Sequence, residues 1–443
     1  MGIAGAKHFG DLLISMEQKE LKIIPHIVLQ HAENLGFNWL LRDRAINEPH
    51  YSLSDLAKLD DRLEADIDGL RIAGDAGWEI CKQELKWEEA GEIFTASFLA
   101  FEIDDALRIH EVLEVGGAEP ELCRGVISAL GWLPFEQGVK HTTQFQTAES
   151  TNLRYIGLAA HAIHRQDPGQ PLEEALRSED ALLKARALKA VGELGRRDLL
   201  AYLQANFREE NSKCHFYASW SAALLGDAYA YPILQSITQS DSPYREEATK
   251  MVLRRLHPKT AQDWLKELAQ SSEHLRQAVI GAGALGDPAL IPWLFEMMHV
   301  PEHARAAGEA FTMITGVDLA YEDLEGEWPE GFEAGPTENP EDENVAMDPD
   351  EDLPWPELEL IQKWWANHKS NFQNGTRYLV GKPISSEWLQ QVLRNGFQRQ
   401  RAAAALELAI KQPGQPLFEV RAPGFRQQQM HNPGKPEPNR KKN

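Results

Sequence analysis

The sequence predicts an all-α chain built from stacked helical hairpins, and three observations lead there. Related segments recur at a near-constant spacing, each changes helix at a short turn, and no stretch alternates apolar and polar residues as a strand would. The recurring segments read ARALKAVGELGRRDLLAYL, YASWSAALLGDAYAYPIL, ATKMVLRRLHPKTAQDWL, RQAVIGAGALGDPALIPWL and EAFTMITGVDLAY. Their turn residues, Gly195, Gly226, His257, Gly286 and Gly316, fall 31, 31, 29 and 30 residues apart.

Each unit follows one physical grammar. An Ala- and Leu-rich helix ends at Leu-Gly, where glycine can adopt the left-handed conformation that stops a helix. Asp then caps a second helix, with Pro in its first turn at Asp287–Pro288, and Ser242–Pro243 opens the third unit. Small residues such as Ala187, Ala190, Ala222, Ala223, Ala282 and Ala284 let neighbouring helices approach closely. No single unit can bury its own core, so stacking is obligatory. The period and turns fit short HEAT-like repeats; the signatures of tetratricopeptide and ankyrin repeats are absent.

In chain order, residues 1–117 are expected to form a helical N-terminal cap, with Leu53, Leu56, Leu59, Leu63, Ile67 and Leu70 at helical spacing and a helix or helix pair over 92–115. Residues 118–317 form the HEAT-like array, including two divergent units at ELCRGVISALGWLPF and LRYIGLAAHAIHRQDPG. Residues 318–356 hold 15 Asp+Glu, six Pro and no Lys, Arg or His, which predicts an irregular or disordered acidic insertion that repels itself and avoids the body. Residues 357–420 are a small C-terminal helical region, and 421–443 a basic, loosely ordered tail with six Lys+Arg against one Glu. The whole is an all-α, HEAT-like helical-hairpin solenoid of about seven to nine hairpins.

The chain carries 45 Lys+Arg and 68 Asp+Glu, a net charge of −23. Such a surface repels polyanions, so nucleic acid and anionic membrane are not expected partners. Cys81, Cys123 and Cys214 are widely spaced and read as reduced thiols. With no signal-peptide or membrane-spanning pattern, a cytoplasmic location is expected.

Near-matches to chemical motifs fail on their context. Gly281–Gly286 matches G-x-G-x-x-G, but the residues before it are spaced as a helix and not as a strand. His299-Val-Pro-Glu-His303 matches H-x-x-E-H, yet Pro301 breaks the single helix a zinc site needs. His161 with His164, and His26 with His31, lack further ligands at suitable spacing. The single pair His110–Glu111 is too little for the di-iron hydroxylases built on similar repeats, and Gly375–Lys382 lacks the spacing of a phosphate loop. Asp348, Asp350, Asp352 and Glu359 follow calcium-loop spacing, but Leu353 stands where glycine is required, so a solvated acidic run is expected. No catalytic residue, metal or cofactor is expected. Trp355, Trp364, Trp365 and Trp388 gather near the end of the insertion and are candidate partner-binding residues, or the core of a small helical subdomain.

ELCRGVISALGWLP, LRYIGLAAHAIHRQDPG and ARALKAVGELGRRDLL, together with EAGPTENPEDENVAMDPDEDLPWP, GTRYLVGKP and FEVRAPGFRQ, resemble a family of HEAT-repeat proteins of Gram-negative bacteria, often encoded beside type VI secretion genes. The resemblance spans nearly the whole chain and implies an accessory or adaptor role in effector loading, or an immunity role. The expected function is therefore a non-catalytic protein-binding scaffold whose partner is another protein, such as a basic effector steered by the acidic insertion. The alternative is a HEAT-like enzyme, a lyase or DNA-base glycosylase; a glycosylase would show a basic concave face with aromatic residues.

Overall fold

The computed structural model describes residues 23–335 and 346–431. It is an all-α helical-repeat fold with 22 α-helices among the described residues. The one sheet there is a two-residue antiparallel pair, β1 (Tyr378–Leu379) with β2 (Lys382–Pro383). Three helices make up the amino-terminal end: α1 (Pro25–Ala45), with His26 in its first turn, α2 (Leu53–Ala73) and the shorter α3 (Asp75–Glu84).

Hairpins follow in order: α4 (Ala90–Glu102) with α5 (Ala106–Gly116), α6 (Cys123–Trp132) with α7 (Phe135–Gln146), and α8 (Thr151–Ile163) with α9 (Gln170–Ala175). Then come α10 (Ala181–Glu193) with α11 (Leu200–Ala205), α12 (Ser212–Leu224) with α13 (Tyr231–Thr238), and α14 (Arg245–Arg255) with α15 (Pro258–Leu268). The last are α16 (Leu275–Leu285) with α17 (Ile291–Met298), and the long α18 (Pro301–Thr315). The first helices pack in one row, α4 on α6, α8, α10, α12, α14, α16 and α18 in turn, with α1 against α4.

The row thus starts at residue 90 and not at 118. The α4–α5 unit has no Leu-Gly turn; Asp104 takes the left-handed conformation (φ 56°) and Asp105 caps α5 by accepting from the Leu107 and Arg108 N–H groups. Helix α4, within the stretch 92–115 read as helical, is buried on nearly every side and so lacks the one-sided apolar face of the later units. Elsewhere the turns are as expected: Gly195, Gly226, Gly286 and Gly316 have φ of 72°, 97°, 76° and 74°. Asp227 and Asp287 cap the following turns through the Tyr229 and Ala289 N–H groups. His257 keeps a negative φ and hands over directly to Pro258. The Gly281–Gly286 run lies within α16 and at its end, and Pro301 starts α18, leaving His299 behind α17.

After α18 the chain turns back on the array. Residues 318–335 and 346–356 do not avoid the body, which corrects the expectation for the insertion. Leu319, Leu324 and Leu353 are buried, and Asp350 is 5% exposed. Asp350 takes both terminal nitrogens of Arg276 at 2.7 Å, while Asp348 takes those of Arg305 at 2.7 and 3.0 Å. Glu351 and Asp352 accept from Arg44 on α1, at 2.8 and 3.2 Å. The repulsion among acidic groups is relieved where four of them, Asp348, Asp350, Glu351 and Asp352, meet guanidiniums, and these arginines come from α1, α16 and α18. The strap therefore links the two ends of the array.

The C-terminal region continues along the same side. Helix α19 (Leu358–His368) packs on α17, and α20 (Ser386–Asn395) packs on α21 (Gln398–Lys411). The Tyr378 N–H donates to the Gly286 carbonyl (2.7 Å), and those of Val380 and Gly381 to Met313 and Ile314. Helix α21 starts at the opposite end, where the Gln398 N–H donates to Tyr51 (2.8 Å), and it packs on α12. Residues 412–424 then return across the array: the Leu417 N–H donates to Glu193, and Arg42 donates to the Arg421 and Ala422 carbonyls.

The tail expectation is corrected for 421–431. Helix α22 (Gly424–His431) packs on α2, Arg426 donates to the Gly131, Trp132 and Leu133 carbonyls, and Gln427 is fully buried. Residues 432–443 lie outside the described residues, as does 336–345 of the insertion.

Two substitutions test this closure. Asp350→Ala leaves Arg276 facing an apolar strap, and should lower stability by about 3 kcal/mol in chemical denaturation. Gly286→Ala puts a methyl on the Tyr378 carbonyl in a left-handed backbone, and should cost at least about 1–2 kcal/mol by the same measurement.

Candidate functional site

The four tryptophans singled out by the sequence are not one cluster. Trp355 sits 5.3 Å from Trp328 and 5.5 Å from Phe332, with the Arg305 guanidinium over its ring. Trp364 and Trp365 both meet Phe311 edge-on, and Trp364 also stacks on His368. Trp388 lies elsewhere, donating from Nε1 to the Leu379 carbonyl at 2.7 Å beneath Lys382. All four are half-buried. The calcium-like set is likewise taken: Asp348, Asp350 and Asp352 face arginines, and Glu359 is exposed on the first turn of α19. The solvated acidic run expected there is instead an arginine-paired strap.

The acidic groups left in solvent come earlier in the strap. Glu322, Asp323, Glu325, Glu327, Glu330 and Glu333 are exposed, beside Tyr321 (83% exposed) and Trp328 (48%). None of the six has an ion-pair partner among the described residues. The ledge is held in place by the bridge Glu325–Pro356 and by the Gly326 N–H donating to Trp355 (2.8 Å).

The opposite electrostatics are found between the array and the C-terminal segment. A recess of about 460 Å³ is walled by α1, α6, α8, α10 and α12 on one side and by α21 with residues 417–426 on the other. Each array helix contributes one stripe at helical spacing: Arg124, Ile127, Ser128 and Gly131 from α6; Tyr155, Ala159 and Ile163 from α8; Leu182, Arg186, Lys189 and Glu193 from α10; Lys213, Tyr217 and Trp220 from α12. In a chain of net charge −23, this lining has eight Arg and Lys against three Asp and Glu.

Those three carboxylates are shared. Asp43 pairs with both Arg124 and Arg421. Glu193 accepts from Arg186 at 2.8 Å, with Lys189 at 3.7 Å and Arg165 at 4.0 Å. Glu419 pairs with Arg165. Burial alone would raise the Glu193 carboxyl, but Arg186, Lys189 and Arg165 outweigh it and hold it at about 2. Burial pulls the Lys189 ammonium below its ordinary value; Glu193 opposes this, and Arg186 and Arg421 add to it. Burial, then Lys189, does the same to Lys213, which has no ion-pair partner among the described residues. Aromatic faces take part of the load: Arg124 lies over Trp39 at 5.2 Å and Lys189 over Tyr217 at 5.3 Å.

Sequence reasoning passed over this recess because its basic residues are scattered across five helices and two connecting segments. The available signal was Arg or Lys on the recess-facing stripe of three of the first helices, α6, α10 and α12, at Arg124, Arg186 and Lys213. No family profile matches the chain, and no curated protein matches it either. Among the described residues no helix is long and apolar enough to cross a membrane, and no three His, Cys, Asp or Glu converge as metal ligands.

Lys213 gives the recess a measurable signature. Between the depressed folded value and the ordinary one near 10.4, the unfolded chain holds more protons on Lys213 and Lys189 than the folded chain. Their contribution to stability therefore rises as pH climbs through that window. Lys213→Met should raise the denaturation free energy at pH 7.5 by something on the order of 1 kcal/mol and flatten the rise toward pH 10.

Proposed function

We propose that this chain is a non-catalytic scaffold that binds another protein, and that the exposed acidic ledge of residues 322–333 is where a basic partner first engages. The observation that carries this is the contrast within one strap. Its second half spends its carboxylates on Arg44, Arg276 and Arg305, whereas six carboxylates of the first half stand in solvent beside exposed Tyr321 and Trp328. Held on a rigid support, such a surface speeds the approach of a positively charged protein without needing to order itself on contact. On the resemblance described above, the partner is a type VI effector or secretion component, and the role is that of an adaptor, or of an immunity protein that holds a toxic effector.

The glycosylase alternative has one observation in its favour, the basic and aromatic lining of the recess. Against it stands the closure: α21 packs on α12 and residues 412–424 cross the array, so the chain itself covers this side of the recess.

The test is the variant Glu325→Lys/Glu327→Lys/Glu330→Lys. Its melting temperature should match that of the wild type, because these carboxylates have no ion-pair partner on the body. Partners recovered by affinity purification from the native host and identified by mass spectrometry should present a basic face. The variant should associate with them at least about tenfold more slowly at low salt, with a weaker salt dependence. An unchanged association rate would remove the ledge from the reading.

A further inference from the structure

We infer that the recess between the array and the C-terminal segment is a binding site for a small organic anion, one that presents phosphate or carboxylate oxygens on a planar or apolar body.

The argument begins with charge that the fold itself does not use. Packing and chain closure explain Arg42, whose guanidinium pairs with Asp60 (2.8 Å) and donates to the Arg421 and Ala422 carbonyls, and Arg426, which holds three carbonyls at the end of α6. They do not explain Arg186, Lys189 and Lys213. Arg186 and Lys189 share one carboxylate, and Lys213 has no ion-pair partner among the described residues. The three lie on adjacent helices, α10 and α12, within electrostatic reach of one another, and Lys189 is also within reach of Arg421. Gathering like charges in a recess costs stability in the empty protein. A ligand bearing two or more negative oxygens removes that cost, because each oxygen meets cations already desolvated and fixed.

The remaining lining defines the rest of the ligand. Tyr217 and Trp220 stand beside Lys213 on α12, Trp39 and Trp132 close the far end, and Tyr155 lies between them. A volume of about 460 Å³ lies in the range that accepts a compact organic molecule and is too small for a folded element of another protein. Stacking surfaces next to cations suit a ring or short apolar chain joined to a charged head. Lys189 keeps about a third of its side chain exposed, so the recess is open to solvent and a ligand can enter.

The site is independent of the acidic ledge, which is built from residues 322–333 and shares no lining residue with it. Its test is made on the full chain with four probes at equal ionic strength: adenosine triphosphate, tripolyphosphate, citrate and sodium sulfate. Tryptophan fluorescence and calorimetry read the binding, since Trp39, Trp132 and Trp220 line the recess. Adenosine triphosphate, tripolyphosphate or citrate should bind saturably at one site and raise the melting temperature; sulfate should do so far less. A preference for adenosine triphosphate over tripolyphosphate assigns the ring to the aromatic wall, and a preference for citrate assigns the head as a carboxylate. Lys213→Met, which breaks no ion pair, should weaken the best probe at least tenfold while the empty protein stays as stable as before or more so. Lys259→Met on α15, an exposed lysine outside the recess that pairs only with Asp263 on its own helix, should leave the affinity unchanged. The inference fails if no probe exceeds sulfate, or if the two lysine variants weaken binding equally. The ledge variant above should bind the anion normally, so failure of the anion site and failure of the partner surface are read separately.

Discussion

Helices end with carbonyls that have no partner of their own, and in this protein the chain's own C-terminal segment uses several of those ends. Tyr378 donates to Gly286, Val380 and Gly381 to the last turn of α18, Leu417 to Glu193, and the Arg377 side chain to Ala284 and Leu285. This pairing requires bare backbone at the turns. Beyond the left-handed conformation, Gly195 and Gly286 have no room for a methyl group: it would meet Gly414 in one case and the Tyr378 carbonyl in the other. The turn glycines therefore do two jobs. They stop each first helix, and they form the seat on which the returning chain lies.

Charge follows from that closure. The strap and the tail bring carboxylates to arginines on distant helices, and buried Glu407 on α21 is held between Arg254 and Arg377. Arg401, fully buried, has no carboxylate partner among the described residues; it relies on the Leu393 carbonyl, Gln398 and Gln427, and burial pulls it down to about 10. Such groups are costly unless every donor is met, so they fix one arrangement of the C-terminal region. The net charge of −23 is consequently an average over a sharply divided molecule, with acid on the outer ledge and base in the recess. An argument from net charge describes long-range behaviour toward polyanions and says nothing about a site a few ångströms deep.

The division also shapes how binding would act. One wall of the recess is the array and the other is the C-terminal segment, so a ligand held there adds to the docking of residues 417–426. The ledge belongs to a strap fastened at α1, α16 and α18. Both surfaces rest on the same closure, and both are preformed.

What the sequence determined by itself was the local order. Period, Leu-Gly turns, Asp caps and Pro at helix starts depend on neighbours within a few residues, so the hairpins from Ala181 to Thr315 could be read directly, as could the helical contexts of Gly281–Gly286 and of Pro301. The α4–α5 pair was read as helix over 92–115 but not as part of the repeat row, because Asp104 stands in place of the turn glycine and burial on nearly every side removes the one-sided apolar face. What only the tertiary structure decided was which distant charges meet. Asp350 and Arg276 are 74 residues apart, and Asp43 and Arg421 are 378 apart. No local pattern carries such a pairing, so the insertion read as self-repelling and the tail as loose. The recess was hidden for the same reason: Arg124, Arg186 and Lys213 are ordinary solvated residues in sequence, and become a site only when stacking places their helices side by side and the returning chain closes over them.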